Sequence, residues 1–190
     1  MTEPFVPMNL RDLVFVDLET TGLDCDVHEI LEIAAVRTTH GAERVVASFE
    51  HRVTPERIDV AEASALAING YNPTEWLDAV ACRVALVDWC QILGRDEECI
   101  VVGHNPAFDQ GFLRVGAKRL GIALPRAKYL IDTASMAWPL CSAGSIDRLG
   151  LDRLCQLYKI PNDGAHRAMT DVRRCIAVYR ALLGKKGSIR

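Results

Sequence analysis

The sequence predicts an α/β domain on a five-stranded mixed sheet, a three-strand antiparallel meander plus two parallel strands, flanked by helices. Three observations carry this. Short apolar runs bounded by turn residues open the chain and recur past its midpoint. Between them lies an Ala- and Leu-rich stretch with helical spacing, and the C-terminal region carries one long apolar stripe.

The elements follow in order. Residues 1–11 hold Pro4 and Pro7 and read as a loose lead-in. Leu13-Val14-Phe15-Val16 is a short apolar run ending in Asp17, the mark of a buried strand whose tip meets solvent. After the Thr-Thr-Gly turn, residues 29–37 are apolar at most positions, as in a strand covered on both faces. Residues 44–53 form a third strand, joined to the second by a hairpin at Gly41. Residues 61–93 read as helix, interrupted by Asn69-Gly70 and Pro73. Ile100 to Gly103 is a fourth strand, and Asn105-Pro106 an N-cap with proline at the first helical position. That helix is expected to bury Phe108, Phe112 and Val115. A fifth strand near 128–131 precedes helices near 133–139, 147–158 and 166–184. In the last, Ala168, Val172, Cys175, Ile176, Tyr179 and Leu183 share one stripe. One domain over 12–184 and a basic tail, 185–190, complete the chain.

Composition narrows the class. With 25% charged residues, 13 glycines and 8 prolines in 190, the chain has the make-up of a folded globular protein. Seven cysteines, an odd number with no C-x-x-C pair, argue for reduced and mostly buried thiols rather than a disulfide framework or a Cys-rich zinc site. No basic-then-apolar leader opens the chain, and no apolar run reaches the roughly 18 residues of a membrane span. A cytoplasmic protein without membrane contact is expected.

Asp17 and Glu19 stand two apart at a strand end, so their side chains point the same way. Two adjacent carboxylates repel unless a cation lies between them, and such hard oxygen ligands select Mg²⁺ or Mn²⁺. Asp109 begins the helix after the fourth strand, where an acid also suits the helix dipole. Asp171 falls within or beside the last apolar stripe, with no basic partner expected there; a cation shared with other carboxylates would satisfy it. His166 lies five residues earlier, about 140° around a regular helix, so it is expected at the loop-to-helix junction after the turn-forming 161–164. His28, His40 and His51 read as ordinary surface histidines. The three tryptophans read as core, Trp76 being the one worth testing as a base platform, and Tyr179 reads as core.

Taken together, D-L-E-T-T-G at 17–22, H-N-P-A-F-D at 104–109 and H-R-A-M-T-D at 166–171 form an ordered set. It resembles the DEDDh group of 3′–5′ exonucleases, the DnaQ-like family with the RNase H-like fold, over about residues 12 to 180. Its members include the epsilon proofreading subunit of DNA polymerase III and ribonuclease T. Ile131-Asp132-Thr133 also looks like this family, and no tyrosine stands four before Asp171, which favours the histidine subclass.

The resemblance implies catalysis by Asp17, Glu19, Asp109, His166 and Asp171, with the four carboxylates holding two Mg²⁺ or Mn²⁺ ions. His166 would take a proton from the attacking water, leaving nucleoside 5′-monophosphates, so activity is expected to fall on the acid side as His166 protonates. Thr20, Thr21, Gly22 and Leu23 would meet the 3′-terminal nucleotide, Leu23 against its base, and His104, Asn105 and Phe108 would complete the substrate side. Asn105 already has a sufficient task as a helix cap. The expected partner is the 3′ end of single-stranded DNA or RNA. A homodimer is left open, and a stable polymerase partner is not implied. A catalytically silent nucleic-acid-binding module and a metal phosphohydrolase acting on small nucleotides are the rival readings.

Net charge is −3, which excludes a uniformly basic binder but hides an uneven distribution. Residues 165–190 hold seven basic residues and one acid, and residues 111–128 hold Arg114, Lys118, Arg119, Arg126 and Lys128 with no acid. These segments are expected to border the acidic site and guide a phosphate backbone.

Overall fold

A computed structural model describes residues 6–161, 164 and 166–185. The strands are β1 (Asp12–Thr20), β2 (Ile30–Thr38), β3 (Val45–Arg52), β4 (Cys99–Gly103) and β5 (Leu130–Asp132). They form one sheet in the order β3-β2-β1-β4-β5, with β1–β2 and β2–β3 antiparallel and β1–β4 and β4–β5 parallel. This is the meander plus two parallel strands that the sequence predicts. The β2–β3 turn closes with Thr39 donating to the Arg44 carbonyl, 2.9 Å, and places Gly41 and Ala42 at positive φ.

The helices are α1 (Ala63–Asn69), α2 (Cys82–Leu93), α3 (Pro106–Leu120), α4 (Thr133–Met136), α5 (Trp138–Ser142), α6 (Leu151–Tyr158) and α7 (Ala168–Leu182). Alternation along β1 divides the core between them. Val14, Val16 and Leu18 face α2 and α3, packing with Leu86, Trp89, Phe112 and Leu113. Leu13 and Phe15 face α7, packing with Ala168, Val172, Cys175, Ile176 and Tyr179. The Phe15 and Tyr179 rings meet edge to face at 5.5 Å. The far side of α7 is covered too: Val178 packs with Leu154 and Cys155 of α6. Tertiary burial on two sides is why α7 is the long helix at the centre of that layer.

Several expectations need correction. The helix expected over 133–139 is two short ones, because Pro139 has no N–H for the carbonyl of Ser135 and the helix is re-started at Trp138. The helix expected from 147 starts only at Leu151, and the last helix spans 168–182 rather than 166–184. Leu183 lies outside the core at 47% exposure, since the chain has left the helix there. On α3, Leu113 and Ala117 are fully buried, while Phe108 and Val115 are only partly so. Trp89 and Trp76 are core, the latter donating from Nε1 to the Leu31 carbonyl at 3.2 Å; Trp138 is 59% exposed. Cys99, Cys155 and Cys175 are buried, and the other four thiols are half-buried; none is in a disulfide. His28 is buried rather than on the surface, and His51 pairs with Asp88 at 2.6 Å. Asn162 and Asp163 of the expected turn, Ala165 after it, and residues 186–190 of the expected basic tail lie outside the described residues. Among the described residues, no helix is long and apolar enough to cross a membrane.

The junction of β4 and α3 is the tightest point. A Cβ built on Gly103 would lie 2.9 Å from Pro106 Cβ and 3.3 Å from both Pro106 Cα and the Val16 carbonyl oxygen. Backbone on two sides leaves little room to yield. Gly103→Ala is therefore expected to destabilise the fold by about 1–3 kcal/mol, read as a lowered urea midpoint with unchanged slope.

Candidate active site

β1 pairs with β4 only from Asp12 to Phe15, and its last four residues project beyond Gly103, the end of β4. Asp17 and Glu19 stand on that projection and continue the row of Leu13 and Phe15, on the side of the sheet that α7 covers. The carboxyl of Asp17 is pushed well above the usual range, chiefly by burial and then by Asp109, Asp171 and Glu19. Arg174 acts against the rise. Glu19 is pushed up to about 8, chiefly by burial, with Asp171, Glu32 and Asp109 adding to it and Arg167 opposing.

Asp109 arrives from the first turn of α3, where the end of β4 leaves room for it. It is buried, and desolvation raises its carboxyl, while the backbone N–H groups of Leu18 and of Asp109 itself hold it down. Its helix starts in a way the sequence did not predict. Asn105 adopts a left-handed conformation, φ +66°, and its side chain caps nothing. The anchor is Asp132, whose Oδ1 accepts the Asn105 N–H at 2.9 Å while the same carboxylate caps α4 through Ala134 and Ser135. Thr133 completes the brace, donating to the Gly103 carbonyl at 3.2 Å and lying 2.9 Å from His104 Nδ1.

His166 precedes α7 by two residues at φ +64°, exposed, with its N–H donated to Asp171 Oδ2 at 3.0 Å. The non-helical backbone removes the 140° mismatch: Glu19, His166 and Asp171 each offer a ligand atom, all within 4.8 Å of one another. Asp171, however, is not without a basic partner. Arg174, one turn on and also buried, ion-pairs with it and with Asp152 of α6. The i, i+3 spacing of Asp171 and Arg174 was the available signal. Glu32 was also missed. It sits opposite Glu19 in the β1–β2 register, buried, and takes Arg167 at 2.9 Å.

Next to Glu19 opens a cleft of about 240 Å³ lined by Thr20, Gly22, Leu23, Ile68 and Phe108, with Glu62 and Ser64 at its wall. Leu23 is 76% exposed and Ile68 58%, so two large apolar side chains face an open space without being packed. Ile68, on α1, had no sequence signal. Gly22 is required by close approach: a Cβ there would lie 2.5 Å from the ring of His28. Thr21 is fully buried and accepts the Glu29 N–H at 2.9 Å. Thr21 and the ring of His104 are thus spent on the scaffold, and neither they nor Asn105 line the cleft. Many of the expected guiding cations are also committed. Arg167 pairs with Glu32, Arg174 with Asp171 and Asp152, Arg126 with Asp96 and Glu97, and Lys185 with Glu43.

The donor set suits a divalent cation. Glu19 and Asp171 offer hard oxygens within 4.8 Å of each other and of His166, and Asp17 and Asp109 act on them electrostatically. Burial raises the carboxyls of Asp17, Glu19 and Asp109, with neighbouring acids adding to the rise at Asp17 and Glu19.

Comparison with known proteins gives the family. A family model described as an exonuclease, of the RNase T type, matches residues 14–179. A Mycobacterium tuberculosis protein that carries the name bifunctional exonuclease/endonuclease is 31% identical over 97% of this chain and 29% of its own length. A PolC-type DNA polymerase III of Staphylococcus epidermidis is 30% identical over 90% of this chain and 11% of its own. The chain thus spans less than a third of these curated relatives. Among solved structures, E. coli exonuclease I in complex with a dA16 oligonucleotide superposes with TM-score 0.77 at 19% identity, covering 92% of this chain and 42% of that one.

The raised carboxyls give a sign that can be measured. With no cation bound, Asp17, Glu19 and Asp109 keep their protons to higher pH in the fold than in the unfolded chain. Stability is therefore greatest below the unfolded values and is lost as pH rises toward the native ones, about 8 for Glu19. Mg²⁺ or Mn²⁺ is expected to raise the unfolding temperature clearly at about pH 8 and little at about pH 5, with EDTA reversing the gain. Equal shifts at both pH values in a thermal melt would remove the cluster from consideration as a cation site.

Proposed function

The chain belongs to the DnaQ-like exonuclease family, with its RNase H-like fold, and from that premise we propose that it is a 3′–5′ exonuclease acting on single strands. The observation that carries this reading is the meeting of Glu19, Asp171 and His166 beside an open apolar cleft, with Asp109 near enough to raise the carboxyls of Asp17 and Glu19. Binding to oligodeoxynucleotides by the solved neighbour, and the polymerase context of the staphylococcal relative, favour DNA over RNA.

On this reading the 3′-terminal base lies between Leu23, Ile68 and Phe108, whose apolar faces accept any base without reading its edges. Only an unpaired end fits, since a base must leave its stack to enter. The scissile phosphate then lies over Glu19 and Asp17. When bound by Asp17, Glu19, Asp109 and Asp171, two Mg²⁺ or Mn²⁺ ions supply the charge that offsets the phosphate and favours ionisation of the attacking water. His166 takes that proton at a ring nitrogen, its backbone held in place by Asp171. Exposure of the His166 side chain lets the proton pass on to solvent. The product is a nucleoside 5′-monophosphate and a strand one residue shorter.

A matched panel of 3′-labelled ssDNA, dsDNA, ssRNA and short oligoribonucleotides, beside mononucleotide esters, tests the proposal with Mg²⁺, Mn²⁺ or EDTA. Sequential release of 5′-mononucleotides from single strands, abolished by EDTA, is expected, fastest on ssDNA. His166→Ala is expected to lower the rate by about 10²–10⁴. No mononucleotide release with either metal would overturn the activity. Full activity in Asp17→Ala would overturn the assignment of the carboxylates.

A further inference from the structure

Glu32 poses a problem that the activity does not solve. It is 1% exposed, lies on β2, and stands directly across the β1–β2 ladder from Glu19. Like charges facing each other across a ladder are destabilising, and a buried carboxylate without partners is costly. Its partners come from the chain just after His166. Arg167 donates from Nε to Glu32 Oε2 at 3.2 Å, and its Nη2 lies 2.9 Å from Oε1 as an ion pair that lacks hydrogen-bond geometry. The N–H of Ala168, first residue of α7, donates to Oε2 at 3.3 Å. Arg52 adds a second positive group, 3.6 Å from Oε1, and is itself fixed over the Trp76 ring and to Glu75.

The first N–H groups of a helix have no acceptor within it and are usually satisfied by the side chain at the N-cap. Arg167, the N-cap of α7, offers none. The carboxylate that serves instead comes from the sheet. His166 is therefore bracketed: its own N–H is held by Asp171, and the two residues after it are held by Glu32. A non-glycine residue at positive φ persists only where its surroundings hold it there.

We propose that Glu32 and Arg167 are positioning residues: their clamp fixes where α7, and with it His166 and Asp171, stands relative to Asp17 and Glu19. The two halves of the site come from chain segments about 150 residues apart, and β2 is paired directly to the strand bearing the first half. The clamp is a short route by which the second half is referenced to the first. It is assigned to the scaffold rather than to substrate because Nε and Nη2 of Arg167 both face the buried Glu32. The kinetic part of this inference rests on the nuclease reading above.

The test is made on the full chain. Arg167→Ala is the first variant, since Arg167 is half-exposed and its removal leaves the core intact; Arg167→Lys and Glu32→Gln accompany it. Arg167→Ala is expected to lower kcat by about 10–100-fold with KM within about twofold. Arg167→Lys keeps the charge but loses the fork and should recover only part. Glu32→Gln combined with Arg167→Ala should be no worse than the poorer single variant. Hydrogen exchange, which needs no substrate, should quicken at least about tenfold at residues 166–171 in Arg167→Ala while 175–182 stay protected. A raised KM with unchanged kcat would make Arg167 a substrate contact and overturn the proposal; so would unchanged exchange at 166–171. Absence of nuclease activity in the unaltered chain would sink the functional reading alone, because the exchange result stands without it.

Discussion

Electrostatic crowding at the end of β1 is the constraint to which the surrounding structure answers. Asp17, Glu19, Asp109, Asp171 and, one strand over, Glu32 bring five carboxylates into mutual influence. Two unit charges about 4 Å apart repel by about 4 kcal/mol at an effective dielectric near 20. No fold of this size tolerates several such terms without compensation. Three responses are visible. Protons are retained, as the upward shifts of Asp17, Glu19 and Asp109 record. Guanidinium groups are brought in, the buried Arg174 to Asp171 and the half-exposed Arg167 to Glu32. Backbone N–H groups are aimed at Asp109, Asp171 and Glu32.

Sheet geometry explains why the crowding is there at all. Strand alternation puts Asp17 and Glu19 in one row, and the early end of β4 leaves that row uncovered. The chain turns between β4 and α3 at Asn105, φ +66°, and this turn delivers Asp109 to the gap. On the opposite side α7 packs on β1 and β2 through Val172 and Ile176, so a residue at the start of that helix lies over the strand ends. Three distant segments are thus forced to a single point by ordinary packing. The apolar contacts supply the free energy, and the carboxylates are carried along by it.

Much of this was readable in the sequence, and the remainder was hidden for identifiable reasons. The strands were legible because buried runs such as Leu13 to Val16 and Ile100 to Val102 have few alternatives. Asp17, Glu19, Asp109, His166 and Asp171 stand out as a set only because the three ordered motifs that carry them resemble those of the DnaQ-like exonucleases. The pairing of Asp171 with Arg174 was present in the spacing but was obscured by the expectation that an apolar stripe contains no cation. Glu32 was unreadable without the strand register, which alone places it opposite Glu19. Ile68 and Trp138 show the same limit from the apolar side: periodicity marks hydrophobic positions but not which of them remain open to solvent. The basic segments show a related gap, because a count of cations does not reveal which of them, such as Arg126 and Arg174, are already paired.

Asp171 has the most crowded set of duties, and its geometry links them. One oxygen accepts the His166 N–H and the other faces Arg174. An ionised carboxylate has about four acceptor sites, so two remain for a cation without breaking either contact. Under the proposed function, a cation drawn to Asp171 would share that carboxylate with the contact that orients His166. A weaker hold by Asp171 on either side would be felt on the other. Arg174, fixed from behind by Asp152, resists rotation of the carboxylate and so keeps both faces pointed at their targets. The buried ion pair is thus better understood as a device for direction than for stability, since charges taken out of water return little net free energy. The same reasoning applies to Glu32 and Arg167: each of the two guanidinium groups fixes a carboxylate on one side of His166, and the histidine itself is left exposed to do its work.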